Sequence, residues 1–223
     1  MEIKTILRAV AKAYRDFAHA FSPEKNTDEL FFAFEHSLLE SLGKYEIVYD
    51  YIWGRDTLKV DGVTKSYLPR TGDTLIMDIS VGVDDVFCDV CRTYFVGDPS
   101  EKQREAYQTV LDSLRAGHHA LRADAKASDI YRAVNAVYKK AGKELIHHAG
   151  HRIGDKPLLQ PQFLPENDTP LEVGQIYTVE SGLYEDFGIR LENDFLIESN
   201  EKTGATDLFE DLLPLDIKEY ILR

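Results

Sequence analysis

The chain has 223 residues, of which 43% are hydrophobic and 29% charged, and carries a net charge of −13 at neutral pH. That length and apolar content suffice for a buried core in one large domain or two small ones. The acidic balance argues against a nucleic-acid or anionic-membrane surface, because phosphate binding needs clustered Lys and Arg.

Taken in chain order, Ile3, Ile6, Leu7, Val10, Tyr14, Phe17 and Phe21 recur at helical spacing and predict an amphipathic helix over residues 2–21. Lys4, Arg8, Lys12 and Arg15 stand among its apolar residues in sequence, leaving no uninterrupted apolar run, so it is not read as an export signal, and no stretch approaches the roughly 18 apolar residues of a membrane span. A cytoplasmic protein is expected. Thr27 is the predicted N-cap of a second helix to about Leu42, with Leu30, Phe31, Phe34, Leu38 and Leu39 on its buried side and Gly43 closing it. Residues 45–53 are aromatic and β-branched, hence a strand. Leu75–Ser80 and Val86–Phe95 then form a strand pair around Gly82 and two aspartates.

The second part repeats this order. Residues 101–121 read as a helix, Ser128 caps another to about Ala141, and Gly142 ends it. Leu145–His148 is read as a strand, 157–170 as a loop, and Ile176–Leu183 with Ile189–Ile197 as a second strand pair. Thr27 corresponds to Ser128, Gly43 to Gly142, Gly72 to Gly174 and Asp78 to Glu180, at offsets that stay between 99 and 103 residues. The expectation is a single domain, residues 1–223, made of two related halves of about 1–100 and 101–223.

Each half ends in two carboxylates within strand-like sequence. Asp78 is followed eleven residues later by Asp89, and Glu180 twelve residues later by Glu192. Apolar neighbours surround them, and a carboxylate inside a buried strand needs a partner or a proton. Just before the second pair, HHAGHRIG sets His147 and His151 four apart. Four acids and one imidazole suit a pair of hydrolytic divalent cations, which repel each other at about 3.5–4 Å and need carboxylates to neutralise and tether them. Such a donor set accepts Mn, Co, Fe or Zn. Arg92 and Arg190 are competing partners for the acids, or clamps behind them. Strand alternation predicts that one of His147 and His148 faces the cleft and the other the core. Cys88 and Cys91, three apart in a strand, should point to opposite faces and serve as small buried residues, not as a redox pair.

The strings MDIS…CDVCRTYFVG, HHAGHRIG, TVESGLY and IRLENDFLI resemble the signature segments of the pita-bread metallopeptidases, among them methionine aminopeptidases, aminopeptidase P and prolidases. The resemblance runs from about Thr27 onward and implies an α/β (α+β) pita-bread fold, with two pseudo-symmetric halves and a curved, mostly antiparallel sheet. It implies that Asp78 chelates one metal, that Asp89 and Glu192 bridge, and that His151 and Glu180 bind the second. It also implies that a metal-bridging water or hydroxide attacks the scissile carbonyl, with Glu180 as general base. His147 matches a histidine that lies near the substrate in proline-directed members. With the short gap between Glu180 and Glu192, it points to hydrolysis of Xaa-Pro bonds at the N-terminus of short peptides, with manganese the favoured metal. The resemblance leaves oligomeric state open, a homodimer being one option.

Three departures stand out. A family histidine within a His-Glu-x-Pro run is replaced at Leu158, although Pro161 survives. Another falls near Val60-Asp61, where there is none. Arg152 takes the place of a glycine after His151, where it could grip a substrate carboxylate. The amino-terminal domain of prolidases has no counterpart in this sequence. Two alternatives therefore stay open: a hydrolase or lyase acting on a non-peptide small molecule, and a peptide-binding module with weakened catalysis.

Overall fold

The computed structural model describes residues 1–198 and 204–223. Its elements in chain order are α1 (Ile3–Ala20), α2 (Thr27–Leu42), β1 (Glu46–Trp53), a 3-10 turn (Gly54–Leu58), β2 (Thr74–Val83) and β3 (Val86–Val96). There follow α3 (Glu101–Ala120), α4 (Ala127–Lys140), β4 (His151–Ile153), β5 (Leu159–Gln162), β6 (Ile176–Tyr184) and β7 (Gly188–Ile197). Past the undescribed residues come β8 (Ala205–Asp207), a second 3-10 turn (Ile217–Tyr220) and β9 (Ile221–Leu222).

The strands form one sheet in the order β1-β2-β3-β7-β6-β4-β5, antiparallel along this path, with β8 beside β7 and β9 parallel to β3. The order mirrors itself about the β3–β7 junction, each side bringing two helices and a long hairpin. This is the curved α/β arrangement expected of the pita-bread fold. No helix among the described residues is long and apolar enough to cross a membrane.

Strand alternation divides the sheet into two faces. Leu75, Met77, Ile79 and Val81 of β2 join Tyr177 and Val179 of β6 and Leu191 of β7 in the core beneath the helices. α1 adds Ile6, Leu7, Val10, Tyr14 and Phe17, all fully buried. The Tyr14 hydroxyl lies 2.9 Å from the Met77 carbonyl oxygen and 3.0 Å from that of Val90. A helix thus braces the two residues adjacent to Asp78 and Asp89.

Several element boundaries differ from expectation. Asn26, not Thr27, caps α2, through a reciprocal box with Glu29. Thr27 is buried and donates to the Thr64 carbonyl instead. Ser128 lies inside α4, donating to Asp168, because the helix starts at Ala127. Leu39 is 53% exposed; next to Leu38, it is turned about 100° off the buried stripe. The loop expected over 157–170 contains β5, and Leu145–His148 is not a strand.

Candidate metal centre

Sheet register decides which side chains meet. Asp50 of β1 pairs with Asp78 of β2, Asp78 with Cys91 of β3, Cys91 with Glu192 of β7, and Glu192 with Glu180 of β6. Directly opposite residues share a face, so one row across five strands carries four carboxylates to the same side. Asp89 pairs with Ser80, one step along the hairpin, and also faces that side. The first two acids are therefore diagonal neighbours rather than directly opposed. The turn that sets their register is a two-residue one, Asp84 and Asp85 both adopting positive φ.

His151 enters from β4. The preceding segment lies tightly against β6: the Glu180 amide donates to the Ala149 carbonyl, and the His151 amide to the Thr178 hydroxyl. Gly150 makes this approach possible. It has φ +131°, and a Cβ there would stand 2.2 Å from the Thr178 carbonyl oxygen.

The donor atoms of Asp89, His151 and Glu192 all lie within 4.8 Å of one another, and all three residues are buried. Their neighbours Asp78 and Glu180 are engaged by basic groups. Arg190 Nη2 lies 3.1 Å from Asp78 and 2.9 Å from Asp50. His147 Nδ1 lies 2.8 Å from Glu180 Oε1, and His148 Nδ1 3.6 Å from Glu180 Oε2. The far nitrogen of His147 is 3.4 Å from the Tyr184 hydroxyl.

The electrostatics divide these acids. Burial pushes Asp78 up to about 7, Arg190 only partly opposing it. Burial and the neighbouring carboxylates raise Asp89 and Glu192 well above the usual range, the nearby hydroxyls of Ser80 and Thr178 respectively pulling the other way. Burial would raise Glu180 too, but His147 and His148 beside it hold its carboxyl well below the ordinary value. Burial lowers His151, which favours a neutral imidazole. The Glu192 Oε1 atom is buried without a hydrogen-bond partner. Converging carboxylates that resist ionisation, one unpartnered oxygen and a neutral imidazole form a donor set that a divalent cation would satisfy.

These residues lie in a cleft of about 460 Å³ lined also by Val48, Tyr49, Val60, Asp61, Ser80 and Leu158. Both His147 and His148 reach it, against the expectation that one would turn to the core. They precede β4 in an irregular segment, where strand alternation does not apply. Arg190 lines the cleft; Arg92 and Arg152 do not. Arg92 is fully buried on the helix face, three residues from Asp89 and hence on the other side of the strand. It donates to the Tyr220 hydroxyl and to the carbonyls of Cys91, Glu192 and Leu213, and stacks 4.8 Å over the Phe209 ring. Its contact with the site is through the Glu192 backbone alone. Arg152, next to His151 on β4, points away and donates to the Gln160 carbonyl and the Gln175 side chain. It is not placed to hold a substrate carboxylate in the cleft.

Sequence reasoning missed Asp50, which reaches the site only through its register with Asp78. It also missed Asp194, buried and accepting from the Asp89 amide. That one was findable, since it lies two residues beyond Glu192 on the same strand. Cys88 and Cys91 are buried free thiols on opposite faces, paired in register with Val81 and Asp78.

Similar proteins bear on this geometry. The Xaa-Pro dipeptidase of Pyrococcus furiosus is 29% identical over 156 residues, 68% of this chain and 45% of that protein. The uncharacterized peptidase YqhT of Bacillus subtilis is 30% identical over 158 residues, 69% of this chain and 45% of that one. The chain thus spans about half the length of these relatives. Among solved structures, the prolidase from Pyrococcus furiosus superposes with a TM-score of 0.86 at 25% identity, covering 92% of this chain and 62% of that one. The X-Pro aminopeptidase from Thermotoga maritima shares the fold at the same TM-score and 21% identity, covering 92% and 59%. The sequence model of metallopeptidase family M24 matches residues 2–199, so the similarity takes in α1, ahead of the Thr27 start expected from the motifs. With that match over most of its length, the chain belongs to metallopeptidase family M24.

Proposed function

We propose that this chain hydrolyses the N-terminal bond of short peptides with the help of two divalent cations, as an Xaa-Pro dipeptidase or aminopeptidase. The observation that carries the reading is the convergence of Asp89, His151 and Glu192 donor atoms within 4.8 Å in a peptide-sized cleft. Asp89, His151 and Glu192, together with Asp78 and Glu180, would hold the cations. Manganese is favoured for a set of four carboxylates and one imidazole, ahead of cobalt, iron and zinc. When bound, the pair would supply Lewis acidity, lowering the pKa of water and polarising the scissile carbonyl.

The protein's own groups then have distinct tasks. Glu180 is assigned the general-base role by the family resemblance. His147 and His148 keep it ionised in the metal-free protein, which readies its carboxylate for a cation but lowers its basicity, so the role requires those contacts to loosen when metal is bound. His147 fixes the orientation of that carboxylate through Nδ1, and Tyr184 steadies the ring from its other nitrogen. Asp194 accepts from the Asp89 amide, and the Thr178 hydroxyl accepts from the His151 amide, which fixes the backbone of Asp89 and His151. Arg190, balanced by Asp50, keeps positive charge beside Asp78. Two buried free thiols support a reducing, cytoplasmic setting.

The test is elemental analysis of protein purified without chelator. Mn- or Co-loaded protein is then assayed on a panel of Xaa-Pro dipeptides and tripeptides. Cleavage that disappears on chelation is expected. In His151→Ala, added metal should no longer raise the melting temperature. Bound metal with no cleavage of any panel member refutes the reading. A second reading, hydrolysis of a non-peptide amide at the same centre, is favoured by Leu158 and Asp61 lining the cleft where related peptidases carry histidines. Turnover of simple amides but not peptides would select it.

A further inference from the structure

Three histidines line the cleft, and their nitrogens are not equally committed. His147 Nδ1 lies 2.8 Å from Glu180 Oε1 and 2.6 Å from the His148 carbonyl oxygen. A carbonyl oxygen can only accept, so this nitrogen carries a proton, and the other one faces the Tyr184 hydroxyl at 3.4 Å. His147 therefore has no lone pair free for a cation. His151 holds Nδ1 3.1 Å from the Arg152 carbonyl oxygen, which by the same rule leaves Nε2 as the ligating nitrogen. That Nε2 lies 3.6 Å from Asp89 and 3.9 Å from Glu192. A carbonyl behind one nitrogen is the usual support of a histidine that binds metal through the other.

His148 follows neither pattern. Its Nδ1 is buried without a hydrogen-bond partner among the described residues. Glu180 Oε2 lies 3.6 Å from it, beyond hydrogen-bond range. A proton on that nitrogen would be a buried donor with no acceptor, and a lone pair there would face the lone pairs of a carboxylate. One cation between the two atoms relieves either state. Ligand atoms about 2.1 Å from a shared cation stand about 3–3.5 Å apart, and 3.6 Å is also the separation of His151 Nε2 from Asp89 Oδ2. The His148 and His151 rings are neighbours, with centres 5.6 Å apart. The irregular segment before β4, which Gly150 lets press against β6, turns two consecutive histidines toward one carboxylate.

We propose that His148 is a further protein ligand, beside the five candidates already named, and binds a divalent cation through Nδ1 next to Glu180. The inference rests on the metal-binding part of the reading above and is independent of which bond is cleaved. The donor set becomes four carboxylates and two imidazoles. Imidazole suits zinc and carboxylate suits manganese, so the second imidazole moves the position it serves toward zinc.

The test reads bonds directly. Protein with isotope-labelled histidine is loaded with NMR-active cadmium, and scalar coupling between cadmium and nitrogen, which passes only through a bond, is recorded. Two coupled imidazoles are expected, one of them through Nδ1, and His148→Ala should remove that one and keep the other. Zinc affinity, measured by competition with a chelator, should fall in His148→Ala by more than about 100-fold, beyond the roughly 10- to 100-fold that loss of an outer partner costs. Manganese affinity should fall less. His148 lies outside the hydrophobic core, so chelated wild type and variant should melt alike, which separates a lost ligand from a lost fold. Bound cadmium with a single coupled imidazole, unchanged in His148→Ala, overturns the inference and leaves the metal reading standing; a zinc loss below about tenfold does the same. Failure of cadmium, zinc and manganese alike to bind refutes the metal reading and the inference with it. Two coupled imidazoles in a protein that cleaves no peptide keep the inference and refute the peptidase reading alone.

Discussion

Asp78→Asn in metal-free protein should stabilise the fold at alkaline pH and remove part of its pH dependence. The carboxyl is raised from its ordinary 3.8 to about 7, with burial the main cause. At about 1.4 kcal/mol for each pH unit between those values, keeping it ionised in the folded state costs about 4 kcal/mol above pH 7. The sign follows from proton counting. Between the two values the folded state holds a proton that the unfolded state has released, so stability falls as pH rises from about 4 to about 7. Asp89, Glu192 and Asp194 push in the same direction. His151, lowered by burial, works the other way, because the unfolded chain takes up its proton more readily. The wild-type profile therefore mixes opposing contributions, and the difference between wild type and Asp78→Asn isolates one of them. The assay is urea denaturation of chelator-treated protein at pH 5 and pH 8. The variant should gain on wild type at pH 8 and lose most of that gain at pH 5. Loss of Arg190's second partner reduces the gain without changing its pH trend. Parallel wild-type and variant profiles would refute the assignment of Asp78 as a carboxylate strained by its surroundings.

Two further substitutions probe the support of the site. Arg92→Met removes four hydrogen bonds from a fully buried guanidinium, so a loss of about 3–5 kcal/mol is expected on urea unfolding. Hydrogen exchange should rise over residues 208–222, which Arg92 ties to the sheet; a variant within about 1 kcal/mol of wild type would contradict this role. Gly150→Ala forces a Cβ to within 2.2 Å of the Thr178 carbonyl oxygen at φ +131°. Backbone strain alone costs about 1–3 kcal/mol. The melting temperature should fall, and calorimetry should show weakened metal binding as His151 shifts; unchanged affinity would mean that the segment before β4 has room to give.

Much of the fold was legible because its signals are local. The 3.6-residue spacing of Ile6, Val10, Tyr14 and Phe17, and the β-branched runs around Asp78 and Glu180, report burial of one face each, which any window of the sequence displays. The boundaries that failed were decided by neighbours. Thr27 and Ser128 gave up capping for tertiary hydrogen bonds to Thr64 and Asp168. His147 and His148 took an irregular path because Gly150 lets that segment press against β6. Arg92 was readable in principle: three residues from Asp89 on a strand, it had to face the other way.

The sequence by itself determined the residue types of the site and their repetition: two acids per hairpin, a histidine pair before the second, and strands apolar enough to bury them. Only the tertiary structure decided which of these groups touch. It drew Asp89, His151 and Glu192 together, gave Asp78 to Arg190 and Glu180 to His147, and brought Asp50 into the same row. The reason is physical. Local pattern fixes which face of a strand a side chain takes, whereas its partner is fixed by register between strands far apart in the chain, and register is a property of the assembled sheet.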